Sequence, residues 1–164
     1  MCRSVKTLVL GAGNLLLGDE GFGVHFIRHL ERSYRFPPEV ELLEAGTSGL
    51  LLLHRFEAAD RVYVVDAISA PGEPGDIRRF RKEEFMLNRL PVKLSPHQAG
   101  VQEVLLVSEL RGRCPREIWL FGIIPANLEA GTELSSIVQN KIAGLASELA
   151  AELGATEIHP RVRY

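Results

Sequence analysis

Cysteine is scarce in this sequence, which carries Cys2 and Cys114 among its 164 residues. The two lie far apart and belong to no paired motif, which excludes a disulfide framework and a Cys-x-x-Cys metal or redox motif. We therefore expect two free thiols in a reducing compartment. The N-terminal residues lack the apolar core and cleavage site of a signal peptide, so the expected location is the cytoplasm.

Two other features are missing, a long hydrophobic run and a strong net charge. No apolar stretch approaches the roughly 18 residues that suggest a membrane span. The formal net charge of −2 gives no case for a nucleic-acid partner or an anionic membrane surface. The remaining composition, 46% hydrophobic and 24% charged, is ordinary for a globular protein. We expect one domain over residues 1–164.

Apolar periodicity alternates between strand-like and helix-like segments along the chain. A charged segment after the turn "APGEPGD" predicts an edge strand at 77–81. The other predicted strands are 7–10, 40–44, 61–68 and 117–124, and the predicted helices are 22–34, 46–58 with Thr47 or Ser48 as the cap, 95–110 and 133–153. Strands separated by helices imply a largely parallel sheet. The expected fold is therefore a three-layer α/β domain, with about five twisted, mostly parallel strands and helices on both faces.

The stretch "GAGNLLLGDEGFG", residues 11–23, first suggests a nucleotide-binding loop. A dinucleotide fingerprint needs G-x-G-x-x-G between strand and helix, but here the third position is Leu16. Helical periodicity resumes only near Gly21, too late for a helix N-terminus to face a pyrophosphate at the first glycines. No Gly-Lys-Ser or Gly-Lys-Thr follows, which excludes a P-loop. We therefore expect no nucleotide cofactor.

The same loop is well suited to present carboxylates. Gly11 and Gly13 allow tight turns after the first strand, and the three leucines that follow are expected to anchor the loop against the core. Asp19 and Glu20 then fall at the carboxyl edge of the sheet, where open α/β sheets bind ligands. The alternative is that either acid only caps the next helix and favours its dipole.

Two more polar residues reach the same edge. Asp66 ends the β-rich run 61–68, and His97, in "LSPHQAG", precedes a helix. Each alone is more often structural than functional, yet Glu20, Asp66 and His97 follow three different strands and can converge. One imidazole with two carboxylates suits a divalent first-row metal with open coordination positions.

A competing pair, His25 and His29, has helical i,i+4 spacing in "HFIRH". It lacks the glutamate of H-E-x-x-H, and no third ligand is evident. Arg28 and Arg32 share its helix face and would repel a cation. We interpret these histidines as solvated groups or as support for a neighbouring site.

Five motifs, "LVLGAGNLLLGDEGFGVH", "EAGTSG", "VVDAI", "SPHQAG" and "FGIIPANLEAG", occur here in an order and spacing that resemble the hydrogenase maturation endopeptidases. The resemblance runs over about residues 7–153. It implies a three-layer α/β fold and an enzyme that removes a short C-terminal peptide from the large-subunit precursor of a nickel–iron hydrogenase. In that family the peptide is removed after nickel has been inserted.

The resemblance also implies roles for particular residues. The metal-contacting positions of the family map onto Glu20, Asp66 and His97, and the nickel is expected to arrive with the precursor. The family often has Asp-Gly-Gly-Thr where this chain has Glu44, Ala45, Gly46 and Thr47, which makes Glu44 only a candidate replacement for the aspartate. The motifs contain no serine or cysteine nucleophile, so the expected enzyme is of the aspartic or metal type. A non-catalytic, metal-binding maturation chaperone on the same fold is the alternative.

Overall fold

The computed structural model describes residues 5–86 and 99–158. Its elements, in chain order, are β1 (Thr7–Ala12), α1 (Phe22–Ser33), β2 (Tyr34–Arg35), β3 (Val40–Gly46), α2 (Leu53–Ala58), β4 (Arg61–Ala67), β5 (Ile77–Arg81), α3 (Lys82–Met86), α4 (Ala99–Leu110), β6 (Glu117–Ile123), α5 (Ser136–Glu152) and β7 (Thr156–Glu157). Short 3-10 helices, Gly18–Gly21 and Gly49–Leu52, precede α1 and α2.

Five strands form one sheet in the order β3-β1-β4-β6-β5. The first four are parallel, as expected for strands joined through helices. β5 is antiparallel to β6 and lies at the edge of the sheet, with Ile77 opposite Ile123 and Arg81 opposite Trp119. The predicted α/β class, the mostly parallel sheet and the charged edge strand are all confirmed.

Apolar side chains leave the sheet on both faces, as the near-continuous hydrophobic strands require. One face packs against α1 and α5, and its buried residues include Val9, Val65, Phe121, Phe26 and Leu145. The other packs against α2 and α4, and its buried residues include Leu8, Leu10, Val64, Phe56 and Leu105. The prediction of helices on both faces is confirmed.

Close backbone contact fixes the start of α1 over the sheet. A Cβ placed on Gly23 would lie 2.2 Å from the Val65 carbonyl oxygen and 2.3 Å from that of Ala12. Since real side chains never approach backbone so closely, only glycine allows α1 to lie against the ends of β1 and β4. The second glycine cluster of the loop is therefore a helix–sheet contact.

Several helix boundaries differ from the predictions. Ser48 stands at the N-cap position of the 3-10 turn that leads into α2, as predicted, but its side chain makes no cap hydrogen bond, and α2 itself begins only at Leu53. The final helix begins at Ser136, where the Ser135 hydroxyl accepts from the Val138 N–H, and not at 133. Residues 95–98 of the predicted helix 95–110 lie outside the described residues.

Three short elements were not predicted, namely α3 and the antiparallel pair of β2 with β7. Two-residue strands carry too little periodicity to be recognised. Among the described residues, no helix is both long and apolar enough to cross a membrane. The cytoplasmic location stays a prediction.

Candidate active site at the carboxyl edge of the sheet

Glu20 and Asp66 come together beside Gly13. Glu20 lies in the 3-10 turn that follows β1, and Asp66 is the second-last residue of β4, the neighbouring parallel strand. A Cβ placed on Gly13 would lie 1.7 Å from the Glu20 carbonyl oxygen and 3.5 Å from Asp66 Oδ1. The Glu20 backbone and the Asp66 carboxylate therefore both lie beside Gly13, at one edge of the sheet, and the role of the two residues in a site stays a prediction.

Both carboxylates are withdrawn from solvent, with Glu20 8% and Asp66 3% exposed. Asp66 Oδ1 accepts a hydrogen bond of 2.7 Å from the Ala67 N–H. A buried carboxylate needs hydrogen bonds or a bound cation to stabilise it. Their oxygen donors fit a divalent metal ion.

The third predicted ligand, His97, lies outside the described residues. Within residues 5–86 and 99–158, no group of three His, Cys, Asp or Glu side chains is placed to hold a metal ion. The assignment of His97 to the site therefore stays a prediction.

The first glycines of the loop make room for the protein's own backbone. Gly13 has φ +125°, and the Glu20 carbonyl occupies the space in which a side chain would lie. The Gly13 N–H donates to the Gly46 carbonyl at 3.0 Å. This arrangement holds the Glu20 turn against the end of β3, and it leaves no backbone N–H of Gly13 for a phosphate.

Asp19 has a role that the sequence analysis missed. It is fully buried, and its carboxylate accepts hydrogen bonds from the N–H groups of Ala126, Asn127 and Ser135 and from the Ser135 hydroxyl, at 2.7 to 2.9 Å. The N-cap of α1 is instead Gly21, which has no side chain. The capping alternative is therefore wrong for Asp19, which fastens the loop 124–135 to the turn that carries Glu20.

Backbone hydrogen bonds join the same two segments. The Gly18 N–H donates to the Gly131 carbonyl at 2.8 Å, and the Gly131 N–H donates to the Leu16 carbonyl at 2.9 Å. Leu15 lies beside Gly21 and is half-buried, but it belongs to neither core cluster, and Leu16 is 66% exposed. The prediction that all three leucines anchor the loop is therefore wrong for Leu16.

One histidine of the pair on α1, His25, contacts this loop. The His25 ring lies with Nε2 3.1 Å from the Thr132 carbonyl, an acceptor that requires Nε2 to carry the proton. Burial, followed by the charge of Arg32, lowers the pKa of His29. The interpretation of His25 as support for a neighbouring site agrees with this contact.

Glu44, the candidate replacement for the family's aspartate, is engaged elsewhere. Arg28 donates to both of its carboxylate oxygens, at 2.9 and 3.1 Å. Ala45, the other departure from the family pattern, is buried in the core. Nothing in this geometry supports a site role for Glu44.

Cys114 lies just before β6, at the opposite edge of the sheet from Glu20 and Asp66. Burial raises the pKa of its thiol, and Lys82 Nζ lies 3.5 Å from its sulfur. A neutral thiol at this position is not a nucleophile for the carboxyl-edge site. Cys2 lies outside the described residues.

Comparison with known proteins places this geometry among related chains. The family described as "Hydrogenase maturation protease" matches residues 24–152. The hydrogenase 2 maturation protease of Escherichia coli is 37% identical over 150 residues, which cover 91% of each chain. The hydrogenase expression/formation protein HupD of Bradyrhizobium diazoefficiens is 42% identical over 155 residues, covering 92% of this chain and 81% of the relative.

Solved structures give the same result. The hydrogenase maturating endopeptidase HybD from Escherichia coli superposes with a TM-score of 0.83 at 35% identity, covering 96% of this chain and 98% of that one. The [NiFe] hydrogenase maturation protease HybD from Thermococcus kodakarensis has a TM-score of 0.72 at 29% identity, covering 91% and 99%. The resemblance on the five sequence motifs and the structural likeness therefore lead to one family.

Proposed function

Because this chain belongs to the hydrogenase maturation protease family, we propose that it is the endopeptidase that removes a short C-terminal peptide from the large-subunit precursor of a nickel–iron hydrogenase. The observation that carries the proposal is the pair of buried carboxylates, Glu20 and Asp66, at the carboxyl edge. Ligands of open α/β sheets bind at this edge. Relatives named as proteases favour cleavage over a non-catalytic chaperone.

Nickel enters this proposal as part of the substrate, already held by the precursor's own cysteines. Glu20, Asp66 and the predicted ligand His97 would contact it with two carboxylates and one imidazole, a donor set that leaves coordination positions for the precursor. Nickel in such a position supplies a Lewis acid near the scissile carbonyl. The burial of both carboxylates and their place at the carboxyl edge of the sheet support this assignment.

The chain's own residues would perform the remaining work. A carboxylate of the pair, once freed from the nickel, would act as general base toward a water within hydrogen-bond reach. Asp19 holds the Glu20 turn in place through its bonds to the loop 124–135. Covalent catalysis by Cys114 is disfavoured, because that thiol is at the other edge and its pKa is raised.

Mass spectrometry of a nickel-loaded precursor incubated with this protein tests the proposal. We expect one C-terminal peptide to be released by the wild type and none by Glu20→Gln. Asp60→Asn is a matched control, because Asp60 accepts from the Lys6 N–H at the amino edge, far from the proposed chemistry. A precursor that binds the wild type but keeps its full mass would contradict the protease and favour the chaperone.

A further inference from the structure

The residues 13–21 and 124–135, called here the paired loops, form one hydrogen-bonded unit. Asp19 joins them through its carboxylate, and the Asp19 N–H donates to the Asn127 carbonyl at 2.9 Å. A Cβ on Gly18 would lie 2.8 Å from the Asn127 carbonyl oxygen, so the contact is close. Because Glu20 lies in the first of these loops, a molecule that binds to the paired loops is held at a defined position relative to Glu20.

Each of the paired loops exposes a leucine. Leu16 is 66% exposed and Leu128 is 50% exposed, and neither belongs to the two core clusters. Single exposed leucines are common on protein surfaces. These two differ because the loops that carry them are hydrogen-bonded to each other, and one of the loops contains Glu20.

The exposed charged side chains of the paired loops are all acidic. Glu129 and Glu133 are exposed in the second loop, and residues 13–21 and 124–135 contain no lysine or arginine. An acidic surface with apolar side chains complements a partner segment that is apolar and basic.

We propose that the paired loops dock the precursor, and that they fit a segment whose apolar side chains are flanked by lysine or arginine. This inference rests on the proposed function, which makes the precursor the occupant. Leu16 and Leu128 supply apolar contact, and Glu129 with Glu133 supplies the charge. The hydrogen bonds of Asp19 keep the loops preorganised, so that little ordering is required on binding.

Leu16→Ser, Leu128→Ser and the double variant test the apolar part. We expect each single change to raise KM for the nickel-loaded precursor about fivefold to tenfold and to leave kcat within about twofold, because the leucines contribute to docking and not to chemistry. Leu110→Ser is the matched control, since Leu110 is 80% exposed but ends α4 at the other edge of the sheet. It should keep the wild-type KM.

Glu129→Lys combined with Glu133→Lys tests the charge. The wild-type KM should rise with salt, whereas the doubly reversed protein should start from a higher KM and lose this dependence. A salt-independent wild-type KM would overturn the basic character of the partner segment.

Binding is measured in parallel, so that the inference does not depend on cleavage. Each substitution is combined with Glu20→Gln, and the Kd for immobilised precursor should follow the KM of the corresponding active protein. Unchanged Kd in the double leucine variant overturns the docking surface. A wild-type dimer that becomes monomeric in that variant assigns the leucines to a second copy and also overturns it. Absence of cleavage with leucine-dependent Kd refutes the proposed function alone.

Discussion

The acidic side chains at the two edges of the sheet differ in their partners. At the amino edge, acids are paired with arginines, as in Arg61–Glu117 at 2.7 Å and in Arg111–Glu57 at 2.8 Å, where the Glu57 side chain is only 7% exposed. At the carboxyl edge, Asp19, Glu20 and Asp66 are buried, and Asp19 and Asp66 accept hydrogen bonds from backbone N–H groups.

Cavity volume alone would place the functional site at the amino edge and not at the carboxyl edge. A cavity of about 430 Å³ opens at the amino edge, lined by Lys6, Glu39 and Arg55 among others. Its acids and bases are those of an ordinary solvated surface, where ion pairs contribute little. Buried charge is costly and persists only where something compensates it, so it marks the functional edge better than volume does.

The strongest test of this contrast removes charge without changing shape. Glu20→Gln and Asp66→Asn should each lower the rate of precursor cleavage by about a thousandfold, the middle of the range for a lost catalytic base. Their circular dichroism should stay that of the wild type, because each change keeps the size and shape of the side chain. His97→Ala should likewise abolish cleavage.

Asp60→Asn is the amino-edge control for that test. It removes a charge, but its amide oxygen still accepts from the Lys6 N–H, so it should cleave at the wild-type rate. Cleavage close to wild type by Glu20→Gln or Asp66→Asn, with unchanged circular dichroism, would remove that residue from the site.

A smaller effect is expected from displacing Glu20 without altering it. In Gly13→Ala the new Cβ collides with the Glu20 carbonyl, and a displacement of about 1 Å at a catalytic group costs about a hundredfold in rate. Gly112→Ala shares the positive φ but meets nothing within 4 Å, so it should cost about 1 kcal/mol of stability and no activity. Urea unfolding measures the stability of the two variants, and precursor cleavage measures their activity. Equal activities would show that Glu20 tolerates displacement.

Weakening the hydrogen bonds between Asp19 and the loop 124–135 should lower the cleavage rate less than displacing Glu20 does. Asp19→Asn should lower stability by about 2–3 kcal/mol, because an amide cannot accept from the three N–H groups and the hydroxyl that the carboxylate serves. We expect a cleavage rate about tenfold lower and faster hydrogen exchange at the amides of Ala126 and Asn127. Ser135→Ala, which keeps the carboxylate, should lose only about 1 kcal/mol. Unchanged exchange at 126 and 127 in Asp19→Asn would contradict the clamp.

The smallest effect is expected at the amino edge, from Cys114→Ser. Burial raises the pKa of this thiol, so the reactive thiolate is scarce at neutral pH and increases only as the pH rises above the ordinary range of a cysteine. Iodoacetamide at pH 7 should leave cleavage unchanged, and so should the substitution. Inhibition by the alkylator that disappears in Cys114→Ser would mean that this edge takes part in the reaction.

Local patterns in the sequence were enough to predict the sheet, since buried parallel strands such as β4 and β6 are uninterrupted apolar runs. The same logic placed Glu20 and Asp66 at one edge, because both follow strands that run in the same direction. The charged residues of β5 likewise predicted an edge strand.

The role of Asp19 could not be predicted in that way. Its carboxylate oxygens accept hydrogen bonds from N–H groups that lie 107 or more positions later in the chain. Almost every residue type has a backbone N–H, so the sequence does not show which residues will donate. The exposure of Leu16 was missed for a related reason: three consecutive leucines cannot show which of them the turn at Gly13 and Gly18 directs outward.

The most direct test of the account compares chelator-treated wild-type enzyme on nickel-free and nickel-loaded precursor, with released peptide measured by mass spectrometry. Two carboxylates and one imidazole form a site without soft ligands, so the free enzyme should bind nickel weakly, while nickel held in the precursor adds contacts to Glu20, Asp66 and His97. Each tenfold preference corresponds to about 1.4 kcal/mol of those contacts. We predict cleavage of the loaded precursor alone. Equal cleavage of both would show that nickel does not gate the reaction, and the buried carboxylates of the carboxyl edge would then need another explanation.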